Sequence, residues 1–430
     1  MKNLEKLFWV VAVVGFVGGA YGLYDRFANG HLNVSYGSYV PWGLWVAAYI
    51  YLVGISAGAF LISALVYAFG IKKLEKIGKL ALFTAIITLG ISMFSIWLDL
   101  GRPERALRLM LNTNFGSMMG WMIWLYSAYF VLLLAELWFA MRADFAAWSA
   151  RPGLAGTLAR VLAFGQRDVS AKTLARDKSV LRVLGSLGVP LAVAFHGSVG
   201  ALFGVVGARP YWNSGLTPIM FLVGALVSGG ALITFVTLVF GPNQGSDEHK
   251  ATVVFLGKIV LGLLLFDVLL EWAEYSIGLY SAIPADVASM KLVLFGPYAW
   301  VFWGIHVGLG VIVPALILIL RGKSATWTGW AGLLIAITFI TVRLNIVIPG
   351  LAVPELQGLT NAFTGPGLTL DYLPTLTEWL VLAWSVSAGL LVFLIGYRVL
   401  PIVRSDGTDD ALSPARPATV RAKAAGAVGE

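Results

Sequence analysis

The chain has 430 residues, of which 59% are hydrophobic and 12% charged, with 30 Lys and Arg against 22 Asp and Glu for a net charge of +8. A soluble chain of that length needs roughly a quarter of its residues charged to cover two or three domains. The composition therefore excludes a soluble enzyme, a disordered protein and a nucleic-acid binder, and leaves an all-α polytopic membrane protein in contact with a lipid bilayer.

Taken in chain order, runs of roughly 20 apolar residues long enough to cross a bilayer fall near 7–24, 43–70, 79–98, 119–140, 184–207, 217–240, 252–275, 295–320, 327–348 and 376–400. The first run lacks a small-residue cleavage site, so it reads as a retained helix. Ten spans put both termini on one side. With the termini inside, the inner segments hold most of the basic residues, and the outer ones hold only Arg26, Arg102, Arg105, Arg108, Arg209 and Lys291. The excess of inner Lys and Arg places both termini in the cytoplasm. The inner segment 141–183 is long and basic. Leu154, Leu158, Val161 and Leu162 recur in it at helical spacing, with Arg151, Arg160 and Arg167 nearby. That pattern suits an amphipathic helix on the anionic inner leaflet or a dock for a cytoplasmic partner. The membrane domain is expected over 1–403. The tail 404–430, rich in Ala, Pro and Gly, reads as disordered.

A weak internal repeat links spans two and six. Leu52-Val53-Gly54 with Ser56-Ala57-Gly58-Ala59 matches Leu222-Val223-Gly224 with Ser228-Gly229-Gly230-Ala231, and Pro41 and Pro218 open the two spans. The repeat predicts units over about 40–207 and 216–348, forming two four-helix bundles with flanking helices.

Ionisable groups inside spans are expensive in lipid and read as functional. His196 lies in span five and His306 in span eight. Asp267, Glu271 and Glu274, at spacings of four and three, share one face of span seven, and Arg343 lies in span nine. Three carboxylates on one face cannot all remain ionised in a low dielectric, which is what a proton relay requires. Glu136 and Lys258 lie near inner ends, where long side chains snorkel. With no Cys, this chain offers no iron–sulfur ligands. His196 and His306 could span a haem by geometry, but nothing else supports one. The spacing of the four His offers no local metal pair.

The outer segments carry the most specific motifs: Pro41-Trp42-Gly43, then Leu98-Asp99-Leu100-Gly101-Arg102-Pro103-Glu104-Arg105, then Ala208-Arg209-Pro210-Tyr211-Trp212. With His196, these motifs resemble the NrfD/PsrC family, the membrane subunits of polysulfide-reductase-like respiratory complexes. The last four helices resemble the family through Glu271 and Arg343. The long basic inner segment is not a general feature of that family.

The resemblance implies a subunit that reacts with menaquinone or ubiquinone as substrate and holds no cofactor of its own. It also implies an iron–sulfur partner docked on the outer, periplasmic face, over 99–118, 276–294 and 349–375. That partner would link to a catalytic subunit of molybdopterin, hydrogenase or cytochrome type. The setting would be a bacterial or archaeal cytoplasmic membrane. On this reading the quinone headgroup sits among His31, Trp42, Asp99 and Arg102, with Asp99 and His196 catalytic and Arg102 orienting Asp99. Protons would move along His196, Asp267, Glu271, Glu274, His306 and Arg343. A secondary transporter and a passive anchor for a redox complex are the rival readings.

Overall fold

The computed structural model describes residues 2–150, 152–356, 358–363 and 365–403. Arg151 and the tail 404–430, read above as disordered, lie outside the described residues. The described residues are all-helical, with no strand.

Among the described residues, ten helices are long and apolar enough to cross a membrane. They are α1 (Asn3–Asn29), α2 (Leu44–Tyr67), α3 (Lys72–Asp99), α4 (Met118–Trp148), α5 (Ala171–Gly204), α6 (Thr217–Phe240), α7 (Asp247–Ser281), α8 (Val301–Arg321), α9 (Ala325–Leu351) and α10 (Leu376–Val399). The start of α1 and the end of α10 lie together, where Arg398 meets Glu5, and this end is here called the proximal face. The connections 30–43, 100–117, 205–216 and 282–300, with the described residues of 352–375, form the distal face.

α2 and α6 are apolar on every side, the pattern of a helix with no lipid-facing or wet surface, and both are almost wholly buried. They cross at Gly58 and Gly229. A Cβ on Gly229 would lie 2.6 Å from Gly58 Cα, and one on Gly58 would run into the Ala225 carbonyl. Small residues here allow backbone to touch backbone, which is how helices associate where lipid supplies no hydrophobic drive. Around this crossing, α2 packs with α3 and α5, and α4 packs with α3 and α5. Likewise α6 packs with α7 and α9, and α8 with α9. α1 and α10 pair with each other, and α10 rests on α3.

Three of these helices depart from simple α geometry, and α3 opens with a 3-10 segment over Lys72–Ile77. α8 is π-helical over Val301–Ile312 before it continues as an α-helix from Val313. α9 pauses at Phe339, between Ala325–Thr338 and Ile340–Leu351.

The basic segment 141–183 differs from its sequence reading. α4 extends to Trp148 and α5 begins at Ala171, leaving only Leu154–Leu162 as a separate amphipathic helix. The cause is a buried ion pair, Arg142 Nε to Asp177 Oδ2 at 2.6 Å, which ties the two extensions together. Arg142 Nη1 also donates to the Asp168 carbonyl, and Trp138 Nε1 donates to that of Leu162. Ser170 starts α5 by accepting from Thr173 N.

Candidate functional site

Two buried polar clusters lie towards the distal face. The first gathers the distal ends of α1, α2, α3 and α10. α3 ends at Asp99, and its last carbonyls need donors. Arg26 of α1 supplies them: Nε donates to Leu98 O and Nη2 to Leu100 O, both at 2.6 Å. A guanidinium at a helix C-terminus also meets the negative end of the helix dipole. Asp99 Oδ1 then accepts from the Tyr36 hydroxyl at 2.9 Å.

A second phenol, Tyr372, accepts from Leu44 N at 2.6 Å and donates to the Glu378 carboxylate at 3.2 Å. Glu378 is wholly buried and sits at the third position of a capping box with Thr375. Gly43 separates the two phenols: a Cβ there would lie 2.5 Å from the Tyr372 oxygen and 2.6 Å from the Tyr36 ring. His31 packs edge-on to Tyr36, with ring centroids 5.5 Å apart, and against Trp45 at 6.1 Å. Burial, aided by the charge of Arg26, holds the His31 imidazole below its usual pKa. Burial and the neighbouring Asp99 hold the Tyr36 phenol above its own, so it remains a donor.

The second cluster lies among α5 to α9. His196 Nε2 and Arg343 Nη2 both bond the Phe221 carbonyl of α6, at 2.9 and 3.0 Å. The Arg343 guanidinium also lies over the Phe221 ring, 4.1 Å from its centroid. Asp267 is beside it: a Cβ on Gly224 would be 3.1 Å from Arg343 Nη2 and 3.7 Å from Asp267 Oδ1. One turn distal, Glu271 Oε2 meets His306 Nε2 at 2.9 Å. Glu274 follows and accepts from Ser214 at 3.3 Å. The cluster ends in an open cleft of about 50 Å³, lined by Glu271, Glu274 and His306 among others. Its proximal side is closed by Leu264, Val260, Val227, Ala331 and Ile335.

The structure thus brings His196, Asp267, Glu271, Glu274, His306 and Arg343 together, and sets His31 beside the Asp99–Tyr36 pair. Three expectations change. Arg102 is exposed, and its side chain makes no hydrogen bond or ion pair among the described residues; Arg26 takes the position beside Asp99 because the chain after Asp99 turns outward into a short 3-10 segment. Trp42 faces the second cluster, its indole stacked on Trp212 at 15° and 5.8 Å. Glu136 does not snorkel: it is fully buried between α4 and α5, both oxygens lack hydrogen-bond partners, and Gly185 faces it. Lys258 is exposed on α7.

Sequence reasoning missed Arg26, Tyr36, Tyr372 and Glu378. Glu378 had a legible signal, the Thr375-x-x-Glu378 capping pattern opening an apolar run. The tyrosines carried none, being indistinguishable from interfacial anchors.

A ten-helix bundle holding acid and base side chains at membrane depth defines an integral membrane protein with buried titratable chemistry. The family model described as "Polysulphide reductase, NrfD" matches residues 33–355, and the chain belongs to this family. It is 36% identical over 405 residues to a subunit of the selenate reductase of Mesobacillus selenatarsenatis, covering 93% of this chain and 95% of that one. It is 27% identical to an Hdr-like menaquinol oxidoreductase integral membrane subunit of Archaeoglobus fulgidus, over 85% of each chain. One of the polysulfide reductase chains of Wolinella succinogenes is 26% identical over 65% of this chain and 83% of its own length. These relatives are named as parts of reductase or oxidoreductase systems.

Proposed function

We propose that this chain is the quinone- or quinol-reactive membrane subunit of a respiratory oxidoreductase. It exchanges electrons with an iron–sulfur subunit docked on the distal, periplasmic face of the cytoplasmic membrane, with both termini cytoplasmic. The observation that carries the reading is the Asp99–Tyr36 hydrogen bond beside His31. A quinol that gives up two electrons must also release two protons, and the reverse reaction must take them up. That demands a positioned proton acceptor and a hydrogen-bond donor. Asp99 is the acceptor for one hydroxyl proton. Tyr36 holds the carboxyl in place, and the neutral His31 ring serves the second oxygen. Arg26 fixes the end of α3 and so the position of Asp99.

The exposed Arg102 and Arg108, with Arg105, give the distal surface next to this cluster a positive charge. That charge suits an acidic docking surface on a redox partner. A catalytic subunit lies beyond that partner. The α5–α9 groups form a proton relay, in which Glu274 opens to the cleft and Glu271, His306 and Asp267 lead inward to Arg343 and His196.

The test is Asp99→Asn and Tyr36→Phe in the assembled complex, followed by oxidation of a short-chain quinol. Asp99→Asn is expected to abolish turnover while the partner subunits still co-purify and still pass electrons to an artificial acceptor. Quinol oxidation at the native rate in Asp99→Asn would overturn the reading and leave a passive anchor.

A further inference from the structure

The cleft at the distal end of the second cluster has features that a proton relay does not require. Its walls are mainly flat and apolar, formed by Trp212, Phe221, Tyr275 and Phe302. Two of the rings are locked. Trp212 donates to Ile346 O at 2.7 Å and is backed by the stacked Trp42, while Tyr211 donates to Asn345 O at 3.0 Å and meets Tyr275 at 3.1 Å. Two polar side chains that line the cleft are almost fully buried and lack partners. Asn345 Nδ2 and His306 Nδ1 make no hydrogen bond, with the residues 5% and 1% exposed. A buried donor left unpaired costs about 1–3 kcal/mol, and the interior pairs nearly all such groups.

We propose that this cleft is a second binding site for a quinone or quinol headgroup, separate from the one at Asp99. The proposal rests on the quinone reading above for its choice of ligand class. The donor set selects that class. A flat ring fills the space between the aromatic walls. A ring oxygen accepts from Asn345 Nδ2. With Nε2–H directed at Glu271, His306 Nδ1 is an acceptor for a quinol hydroxyl when neutral and a donor when charged. Glu274 accepts from the opposite hydroxyl. An anionic substrate is disfavoured by Glu271 and Glu274, and a lipid tail would leave Asn345 unsatisfied. The site is one of binding, and no electron step is assigned to it.

The experiment titrates the purified complex with the fluorescent quinol analogue heptyl-hydroxyquinoline N-oxide, following quenching of the dye. Two equivalents per chain are expected. Asn345→Leu removes the donor while keeping a branched side chain of the same length and is expected to weaken one equivalent at least tenfold, and Asp99→Asn the other. Val342→Phe fills the cleft without touching a hydrogen-bonding group and guards against a folding artefact; co-elution of all subunits is the control. One equivalent, sensitive to Asp99→Asn and indifferent to Asn345→Leu and Val342→Phe, overturns the second site and preserves the reading at Asp99. One equivalent sensitive only to Asn345→Leu and Val342→Phe overturns both the two-site proposal and the assignment at Asp99. No binding at all overturns the quinone reading itself.

Discussion

The two clusters solve the same electrostatic problem differently. At the ends of α1, α3 and α10, Asp99 and Glu378 rest on neutral phenols and backbone donors, and Arg26 spends its bonds on carbonyls. Among α5 to α9, the carboxylates of α7 stand opposite Arg343 and His306, both fully buried. The first cluster lies against loops at the distal surface, where weak neutral bonding suffices. The second lies deeper, where an uncompensated charge is far more expensive and counter-charges are needed. A neutral phenol leaves a carboxyl free to trade its proton with a ligand, whereas an ion pair holds it in place. The first arrangement suits proton exchange with a substrate, and the second suits proton exchange between paired groups inside the bundle.

That contrast breaks first in turnover. Asp99→Asn is expected to lower quinol oxidation by roughly 10²–10⁴-fold, the scale of a lost acid–base group, whereas Glu271→Gln retains more than about a tenth of it. Equal losses in the two assembled variants would erase the distinction. Stability reverses the order. Arg343→Leu leaves Asp267 without the guanidinium beside it and should cost about 3–5 kcal/mol, while Arg26→Leu loses charge-assisted bonds to two carbonyls at about 1.5–3 kcal/mol. Thermal unfolding in detergent compares them, and a higher melting temperature for Arg343→Leu than for Arg26→Leu would contradict it.

Between the clusters, Gly229→Leu forces α2 and α6 apart and should cost about 1–3 kcal/mol, lowering both the melting temperature and the yield of partner subunits that co-purify. A native melting curve would mean that the two helices do not meet at Gly58. The smallest effect belongs to Thr375→Ala, which removes the cap that orients Glu378. About 1 kcal/mol is expected, with turnover changing less than in Asp99→Asn.

Much of the fold was legible because hydropathy alone marks a membrane helix. Each of the ten runs became a span, and Gly58 and Gly229 already stood out as small residues in apolar helices. The ends of α4, α5 and α7 were not legible, since polar residues such as Arg142 and Asp177 lower local hydropathy, and only their pairing across 35 positions shows that they continue helices. The same limit applies to the site. Asp267, Glu271, His306 and Arg343 announce themselves by being charged where lipid forbids charge, and they do meet. Arg26 and Tyr36 lie at or beyond a span end, where their types are ordinary, and only the fold brings them to Leu98 and Asp99, 72 and 63 positions away. Arg102 illustrates the opposite error: adjacency in sequence suggested a pairing with Asp99 that a change of backbone direction prevents.

The π-helical start of α8 makes the length of that span as much a constraint as its composition. Extra residues accommodated within an α-helix widen it locally in this way, and Phe302, His306 and Gly310, each four apart, form its buried edge. Deleting a single residue between Val307 and Ile312 would tighten the segment towards α geometry. Everything distal to the deletion would then turn by about 100°. His306 would leave Glu271 and swing towards the side now held by Trp303 and Leu309, both about half exposed. A deletion that preserves every titratable side chain would thus disconnect the buried acid from its base.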